Sequence, residues 1–131
     1  NSYDDLMTSV ATTGPVSVTV AATPWEFYSS GIFSPPSAVA ATWELNHGVQ
    51  LVGYGDDGDE GYYLVRNSWG ASWGEAGYIR LARTDDEEAN CGTDEAPQDG
   101  VACAGEDEPM TVCGTSGILY DTSYPTGASL V

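Results

Sequence analysis

Two polar side chains between positions 45 and 77 are the strongest candidates for chemistry in this sequence. His47 is the only histidine of the 131 residues and opens the strand-like run "HGVQLVGYG", while Asn67 lies in "VRNSWGASWGE". An imidazole gains and loses a proton near neutral pH. His47 is therefore a candidate proton shuttle. From these residues alone, the alternative is a structural histidine beside a tight, tryptophan-rich turn.

The three cysteines are grouped in one later part of the chain. Cys91, Cys103 and Cys113 all follow His47, in an acidic, glycine-rich stretch without a second histidine. A structural zinc site uses four Cys or His ligands, usually with a CxxC-like start, which is absent here. The sequence instead predicts one local disulfide with a third thiol left over, which favours an oxidising compartment.

The charge of the chain argues against several kinds of partner. Twenty aspartates and glutamates face three arginines and no lysine, so the formal net charge is -17 at pH 7. Nucleic acid and anionic membrane surfaces are therefore disfavoured, and an acidic or salty medium suits the chain. The acidic runs at 56–60 and 85–88 lack the ligand spacing of a calcium loop and are interpreted as solvated surface. No stretch of about 20 apolar residues predicts a membrane span, and no metal or cofactor is expected.

Hydrophobic patterning predicts short helices followed by a mainly antiparallel sheet or barrel, an α+β fold. "SYDDLMTSVATT" places serine and aspartates ahead of apolar residues, which is typical of a helix start, and Gly14 and Pro15 end it. A second short helix is predicted from Pro24 to Gly31. Strands are predicted at 16–22, Val49–Tyr54, Tyr62–Val65 and Tyr78–Leu81, the middle two joined as a hairpin through "GDDGDEG".

The chain is expected to form one domain, residues 1–131, with an acidic insertion at about 84–112. The insertion has no hydrophobic periodicity and buries too little apolar area to order itself, so a disulfide is expected to hold it at the surface. The segment "MTVCGTSGILYDTSYP" returns to apolar and aromatic residues and is expected to pack back onto the sheet.

The two candidate elements together resemble the papain-like cysteine proteases. In that family "NH(G/A)V…VGYG" carries the catalytic histidine and "(K/R)NSWG…WGE.GY" the asparagine that orients it, matching "NHGVQLVGYG" and "RNSWGASWGEAGY" here. "GPVSVTVAA", "YSSGIF" and "GILYDTSYP" resemble further family segments, so the resemblance covers nearly the whole chain apart from the insertion. It implies the sheet-rich, C-terminal right-hand domain of a protease similar to cathepsins L and H.

The resemblance implies roles for the residues at the matching positions. His47 would shuttle the proton, Asn67 would fix its tautomer, Trp69 would cover their contact and Trp73 would support the turn. Substrate would be bound by residues on both sides of His47. Asn46 would keep a polar group beside the site, and Gly48 and Thr19 would line the pocket for the second residue before the cut. At its floor, the carboxylate of Asp121 would admit arginine or lysine; a solvated turn aspartate is the alternative.

The same resemblance implies that the N-terminal half of the protease fold is not part of this sequence. The family's nucleophile lies in a "CGSCW"-type helical segment well before the histidine, with an oxyanion glutamine upstream of it, and neither occurs here. We therefore expect a partner, the N-terminal half of the protease on a separate, proteolytically released chain, as well as a peptide or protein substrate. The product would be a cysteine endopeptidase of the lysosome, vacuole or secreted space.

The family's usual disulfide also differs. Ser37 and Ser116 stand where relatives commonly have a bonded pair of cysteines, so either Cys91–Cys103 or Cys91–Cys113 would cross-link the insertion. Two further functions stay open at this stage. One is a catalytically inactive papain-like binding or structural subunit, and the other is a tryptophan-rich carbohydrate-binding β-domain.

Overall fold

The computed structural model describes residues 1–35, 43–127 and 129, so Ser37 lies outside the described residues. Short 3-10 turns lie at Thr23–Trp25, Pro97–Asp99 and Thr115–Gly117. The helix and strands are α1 (Tyr3–Thr12), β1 (Val16–Val20), β2 (Ile32–Phe33), β3 (His47–Asp57), β4 (Glu60–Arg66), β5 (Tyr78–Arg83), β6 (Cys91–Asp94), β7 (Met110–Cys113) and β8 (Thr122–Ser123).

Within the described residues, six strands form one open sheet in the order β2-β5-β4-β3-β1-β8, and β6 and β7 form a separate hairpin. The pairs are antiparallel except β2 with β5, which is parallel. The sheet has edges at β2 and β8 and is not a closed barrel. The predicted α+β class with a mainly antiparallel sheet is confirmed. No helix of the described residues is long and apolar enough to cross a membrane.

The helix α1 begins and packs as its sequence predicts. The hydroxyl of Ser2 accepts a hydrogen bond from the backbone N–H of Asp5, 3.3 Å away, which caps the first turn. Leu6 and Val10 are one helical turn apart and are both buried on the sheet. Gly14 then takes φ +113°, a backbone conformation open to glycine, and the chain turns into β1.

The segment after β1 differs from its prediction. A helix from Pro24 to Gly31 is wrong, because only a 3-10 turn forms at Thr23–Trp25. Trp25 is fully buried, and its indole N–H donates to the hydroxyl of Ser116 at 3.3 Å. The hydroxyl of Tyr28 donates to the carbonyl of Gly31 at 2.7 Å. These tertiary contacts hold the segment in an irregular path that a continuous helix could not follow.

The central hairpin is longer than predicted. β3 and β4 continue to the pair Asp57 and Glu60, so only Gly58 and Asp59 form the turn. Two arginines of β5 explain why acidic residues end a strand here: Arg80 pairs with Asp57 at 2.7 Å, and Arg83 pairs with Asp56 at 2.6 Å.

The last segment returns to the core, as predicted. Ile118 and Leu119 are buried, and β8 pairs with β1 through Val18 and Thr122. The core lies between α1, the sheet and this segment. Its buried members are Leu6, Val10, Val16, Val18, Val20, Ala22, Trp25, Tyr28, Val49, Leu51, Tyr63, Val65, Ile79, Leu81, Cys113, Ile118 and Leu119.

The insertion is more ordered than its sequence suggests. It contains the β6–β7 hairpin, in which Cys91 faces Cys113 and the two form a disulfide. Of the two pairings left open by the sequence, the structure therefore has Cys91–Cys113, and Cys103 is free and exposed. Glu87 is 1% exposed and accepts hydrogen bonds from the backbone N–H groups of Thr84 at 2.8 Å and Thr115 at 2.6 Å. One carboxylate thus joins the two ends of the insertion.

Candidate active site

His47 is the first residue of β3, and its backbone pairs with Val20 of β1. The residue is partly exposed at the start of the strand. The antiparallel pairing on that side fixes the backbone from which the ring projects. A side chain in this position can meet a group from outside the chain.

Asn67 directly follows β4 and is buried, with its backbone N–H donating to the carbonyl of Gly77 at 2.9 Å. Its side-chain oxygen Oδ1 lies 2.9 Å from Nε2 of His47. The same oxygen accepts the backbone N–H of Ser68 at 2.7 Å. A backbone N–H can only donate, so this contact defines which end of the amide is the oxygen. His47 must then donate from Nε2, which leaves Nδ1 as the nitrogen that exchanges a proton.

Two tryptophans of the turn after Asn67 complete the surroundings. The ring of Trp69 stacks on His47 with centroids 5.1 Å apart and an interplanar angle of 23°. Trp73 meets Trp69 edge-on at 5.1 Å and packs on Tyr28 at 5.5 Å. The half-exposed indole of Trp69 therefore shields one side of the imidazole, and Trp73 supports that indole from the core side.

The turn itself is held by Glu75, a residue of the "WGE" element to which sequence reasoning gave no role. Its carboxylate accepts two hydrogen bonds from Arg80, both at 2.9 Å, and one from the backbone N–H of Gly31 at 2.9 Å. The Arg80 contacts lower the pKa of Glu75 below its ordinary value, although partial burial opposes the shift, and the same contacts raise the pKa of Arg80. The signal for this role was the short spacing to Arg80, but the contact to Gly31 is tertiary.

Three of the residues expected to bind substrate lie together. Thr19 pairs with Gly48, the residue after His47, across β1 and β3. The hydroxyl of Thr19 donates to Oδ2 of Asp121 at 2.6 Å, and its backbone N–H donates to the carbonyl of Asp121 at 3.0 Å. Asp121 is thus held against β1 rather than free in a turn.

The side chain of Asn46 makes hydrogen bonds within the chain at both ends of its amide. Its oxygen accepts the backbone N–H of Ala22 at 3.0 Å, and its amide nitrogen donates to the hydroxyl of Thr23 at 2.8 Å. The backbone N–H of Asn46 donates to the carbonyl of Val20 at 3.1 Å. The side chain therefore fastens the start of β3 beside the 3-10 turn, a positional role that its sequence context did not indicate.

The described residues contain no group of three or more His, Cys, Asp or Glu side chains arranged to hold a metal ion. Two of the three cysteines are consumed in the Cys91–Cys113 bridge. Within the same described ranges, the recorded hydrogen bond of the His47 ring is the one to Asn67. Among the residues that the structure describes, the imidazole is therefore oriented through Nε2, and Nδ1 makes no hydrogen bond.

Comparison with known proteins agrees with this geometry. Residues 1–101 match the papain family cysteine proteases. Cysteine proteinase A of Leishmania mexicana is 51% identical over 69 residues, which cover 53% of this chain and 18% of that protein. The cathepsin L-like proteinase of Phaedon cochleariae is 42% identical over 71% of this chain and 28% of its own length, and mouse procathepsin L is 46% identical over 66% and 27%. The chain thus spans about a quarter or less of these relatives.

A solved structure extends the likeness to the fold. The bromelain protease of Ananas comosus superimposes with a TM-score of 0.66 and 34% identity, over 94% of this chain and 45% of that one. The prediction of a papain-like right-hand domain is confirmed. The family match through residue 101, together with this superposition, shows that the chain belongs to the papain family of cysteine proteases.

Proposed function

We propose that this chain supplies the acid–base half of a papain-like cysteine endopeptidase. The carrying observation is the contact between Nε2 of His47 and Oδ1 of Asn67, whose orientation is fixed by Ser68. That contact commits Nε2 to donation, so Nδ1 would be the nitrogen that exchanges protons with the reacting groups. A neutral amide achieves this without placing a negative charge beside the imidazole.

In the proposed reaction a cysteine thiol gives its proton to Nδ1 of His47, and the thiolate attacks the substrate's carbonyl carbon. His47 then donates that proton to the leaving amine, the C–N bond breaks and a thioester forms. A water molecule next gives a proton to Nδ1 while its oxygen attacks the thioester carbon. The C–S bond breaks, the carboxylic acid product leaves, and the proton on Nδ1 returns to the sulfur to regenerate the thiol. Asn67 holds the ring throughout, and Trp69 keeps water from one side of the pair.

The thiol and the oxyanion glutamine lie, in this proposal, on the N-terminal half of the fold, carried by a separate chain that stays docked. This chain covers 45% of the bromelain structure, which leaves room for such a half. His47 is partly exposed, and no hydrogen bond joins its Nδ1 to any described residue. The geometry thus supports a site completed by another segment.

The substrate pocket for the second residue before the cut is proposed beside Thr19, Gly48 and Asp121. The carboxylate of Asp121, held by Thr19 at 2.6 Å, would accept arginine or lysine there besides bulky apolar residues. If Asp121→Ala leaves the rate ratio for arginine over phenylalanine peptides unchanged, this assignment is wrong. Lysosome, vacuole or secretion is the proposed location, in keeping with a disulfide and with relatives that include procathepsin L and digestive proteinases.

The first test is the mass of natively purified material, with and without reduction, followed by labelling with an epoxide inhibitor of papain-like thiols. We expect a co-purifying chain whose cysteine is labelled, and slower labelling of that cysteine in His47→Ala. Cys103, exposed and free, gives an internal control through its reaction with iodoacetamide in both proteins.

Other outcomes are equally informative. A labelled cysteine in one polypeptide together with these residues would contradict the separate chain but keep the role of His47. A lone species of 13.7 kDa, or a partner without label, would instead establish an inactive papain-like binding or structural subunit.

A further inference from the structure

A pocket of about 510 Å³ lies between the insertion and the segment leading into β3. Neither the family resemblance nor the sequence pattern indicated it, because the insertion provides most of its wall. Its lining includes Leu45, Asp94, Val101, Glu106, Met110 and Asp121.

The insertion is fastened to Leu45, two residues before His47, from both sides. The carboxylate of Asp94 accepts the backbone N–H of Leu45 at 3.0 Å, and the backbone N–H of Val101 donates to the carbonyl of Leu45 at 3.1 Å. Gly100 makes this approach possible, because a Cβ at that position would collide with the same carbonyl oxygen. The insertion is therefore hydrogen-bonded to and closely packed against this segment, so it forms a fixed wall of the pocket.

The pocket shares one residue with the proposed substrate subsite. Asp121 is one of its lining residues and is bound to Thr19, which pairs with Gly48 directly after His47. Asp121 thus connects the insertion pocket to the strands that carry His47.

The lining has the chemistry of a site for a long cationic side chain. Apolar groups such as Leu45, Val101 and Met110 can cover a methylene stem. Asp94, Glu106 and Asp121 contribute carboxylates, and the described lining contains no basic residue. The carboxylate of Glu106 is held in place by the backbone N–H of Cys103 at 2.9 Å.

We propose that the insertion forms the outer wall of the pocket for the second residue before the cut, and that Glu106 acts with Asp121 to select arginine or lysine there. This inference rests on the proposed protease function. It assigns to the insertion a specificity role, with Glu106 as the residue that distinguishes a basic from an apolar side chain of similar length.

The test compares two peptide substrates in the natively assembled protein, identical except for arginine or leucine at the second residue before the cut. We expect Glu106→Gln to lower the arginine-to-leucine ratio of kcat/KM by about threefold, since Glu106 is exposed and a surface ion pair contributes modestly. The decrease should shrink in high salt, which screens exposed charges. The leucine peptide serves as the reference in this ratio, because its side chain carries no charge for Glu106 to bind.

Glu108→Gln is the matched control, because it removes the same charge from the same insertion but lies outside the pocket lining. An equal change of the ratio in Glu106→Gln and Glu108→Gln, or no change in either, would overturn the inference while leaving the protease function intact. Absence of hydrolysis and of thiol labelling in the unmodified protein would instead remove the proposed function, and this inference with it.

Discussion

The histidine site and the insertion are held in place in different ways. His47 and Asn67 lie at the ends of strands whose backbones pair residue by residue from β1 through β5. The insertion is attached by the Cys91–Cys113 disulfide, by the hydrogen bonds of the buried Glu87 carboxylate and by the hydrogen bonds to the backbone of Leu45. The first region is held by many strand-to-strand hydrogen bonds, whereas the second combines one short hairpin, β6–β7, with these few separate contacts.

Because of this difference, we expect substitutions in the two regions to affect different properties: the reaction in the first region and the stability in the second. Many ladder hydrogen bonds and a shared apolar core hold the site residues, so removing one site side chain should alter the reaction more than folding. In the insertion each attachment carries a large share of the local stability, because little apolar surface backs it up. We expect variants there to lower stability and specificity while the basic acid–base machinery stays in place.

The largest expected effect is that of His47→Ala on the reaction. The proton shuttle is lost, so kcat/KM should fall by about 10³-fold or more. Asn67→Ala should lower it by about 10²-fold, since the ring keeps its base but loses its orientation. Peptide hydrolysis in the assembled protein measures both, and thermal unfolding is the control. A melting temperature that drops in His47→Ala as far as in the insertion variants would break the contrast between the two regions.

The disulfide should have the next largest effect. Replacing Cys91 and Cys113 together by alanine removes a cross-link that closes a loop with a sequence separation of 22. Loop-closure entropy then predicts a loss of about 3 kcal/mol in the free energy of unfolding. Denaturant unfolding of the assembled protein measures it, and Cys103→Ala is the control because that thiol is free. Equal stability of the two variants would contradict the structural role of the bridge.

Glu87→Ala should cost about 2 kcal/mol, because the N–H groups of Thr84 and Thr115 lose a buried acceptor. The matched control is Asp85→Ala, an exposed acidic residue two positions away. Denaturant unfolding compares the two. A destabilisation of similar size in both would show that net charge, and not the buried contacts, sets the stability of the insertion.

The smallest expected effect is on the melting temperature, from a substitution at Glu75 in the turn that supports the histidine site. Arg80 lowers its folded pKa, so the ionised carboxylate stabilises the fold above the ordinary pKa of a glutamate, and this contribution is lost as the pH falls through the lowered value. Glu75→Gln should therefore lower the melting temperature at neutral pH by about 2–4 °C. The difference from the unmodified protein should vanish in acid. If the difference in melting temperature persists in acid, the contribution of Glu75 comes from packing and not from its charge.

The sequence predicted the sheet well because its signals are local. The β-branched run of β1 and the apolar runs of β3 to β5 alternate at the period of a strand, and glycine with aspartate marks the turn at Gly58. The helix expected from Pro24 to Gly31 failed, since Trp25 is drawn into the core by a contact with Ser116. That partner lies 91 positions away and leaves no local pattern.

For the candidate site too, some features could be predicted from the sequence and others could not. The resemblance of two short segments pointed to His47, Asn67 and Trp69, and the structure brings these side chains into contact. It gave no indication that Asn46 binds inward to Ala22 and Thr23, or that Glu75 links the turn to Gly31. Those partners are set by how segments pack, and residue type alone does not reveal them.

By itself, the sequence determined the family, the α+β class, the acidic charge and the positions of four strands along the chain, because motifs, composition and periodicity are properties of neighbouring residues. The tertiary structure alone decided which cysteines are bonded, which nitrogen of His47 is committed to Asn67, and that the insertion reaches back to Leu45. The physical reason is that each of these depends on a contact between distant segments, and its geometry exists only after the sheet has brought them together.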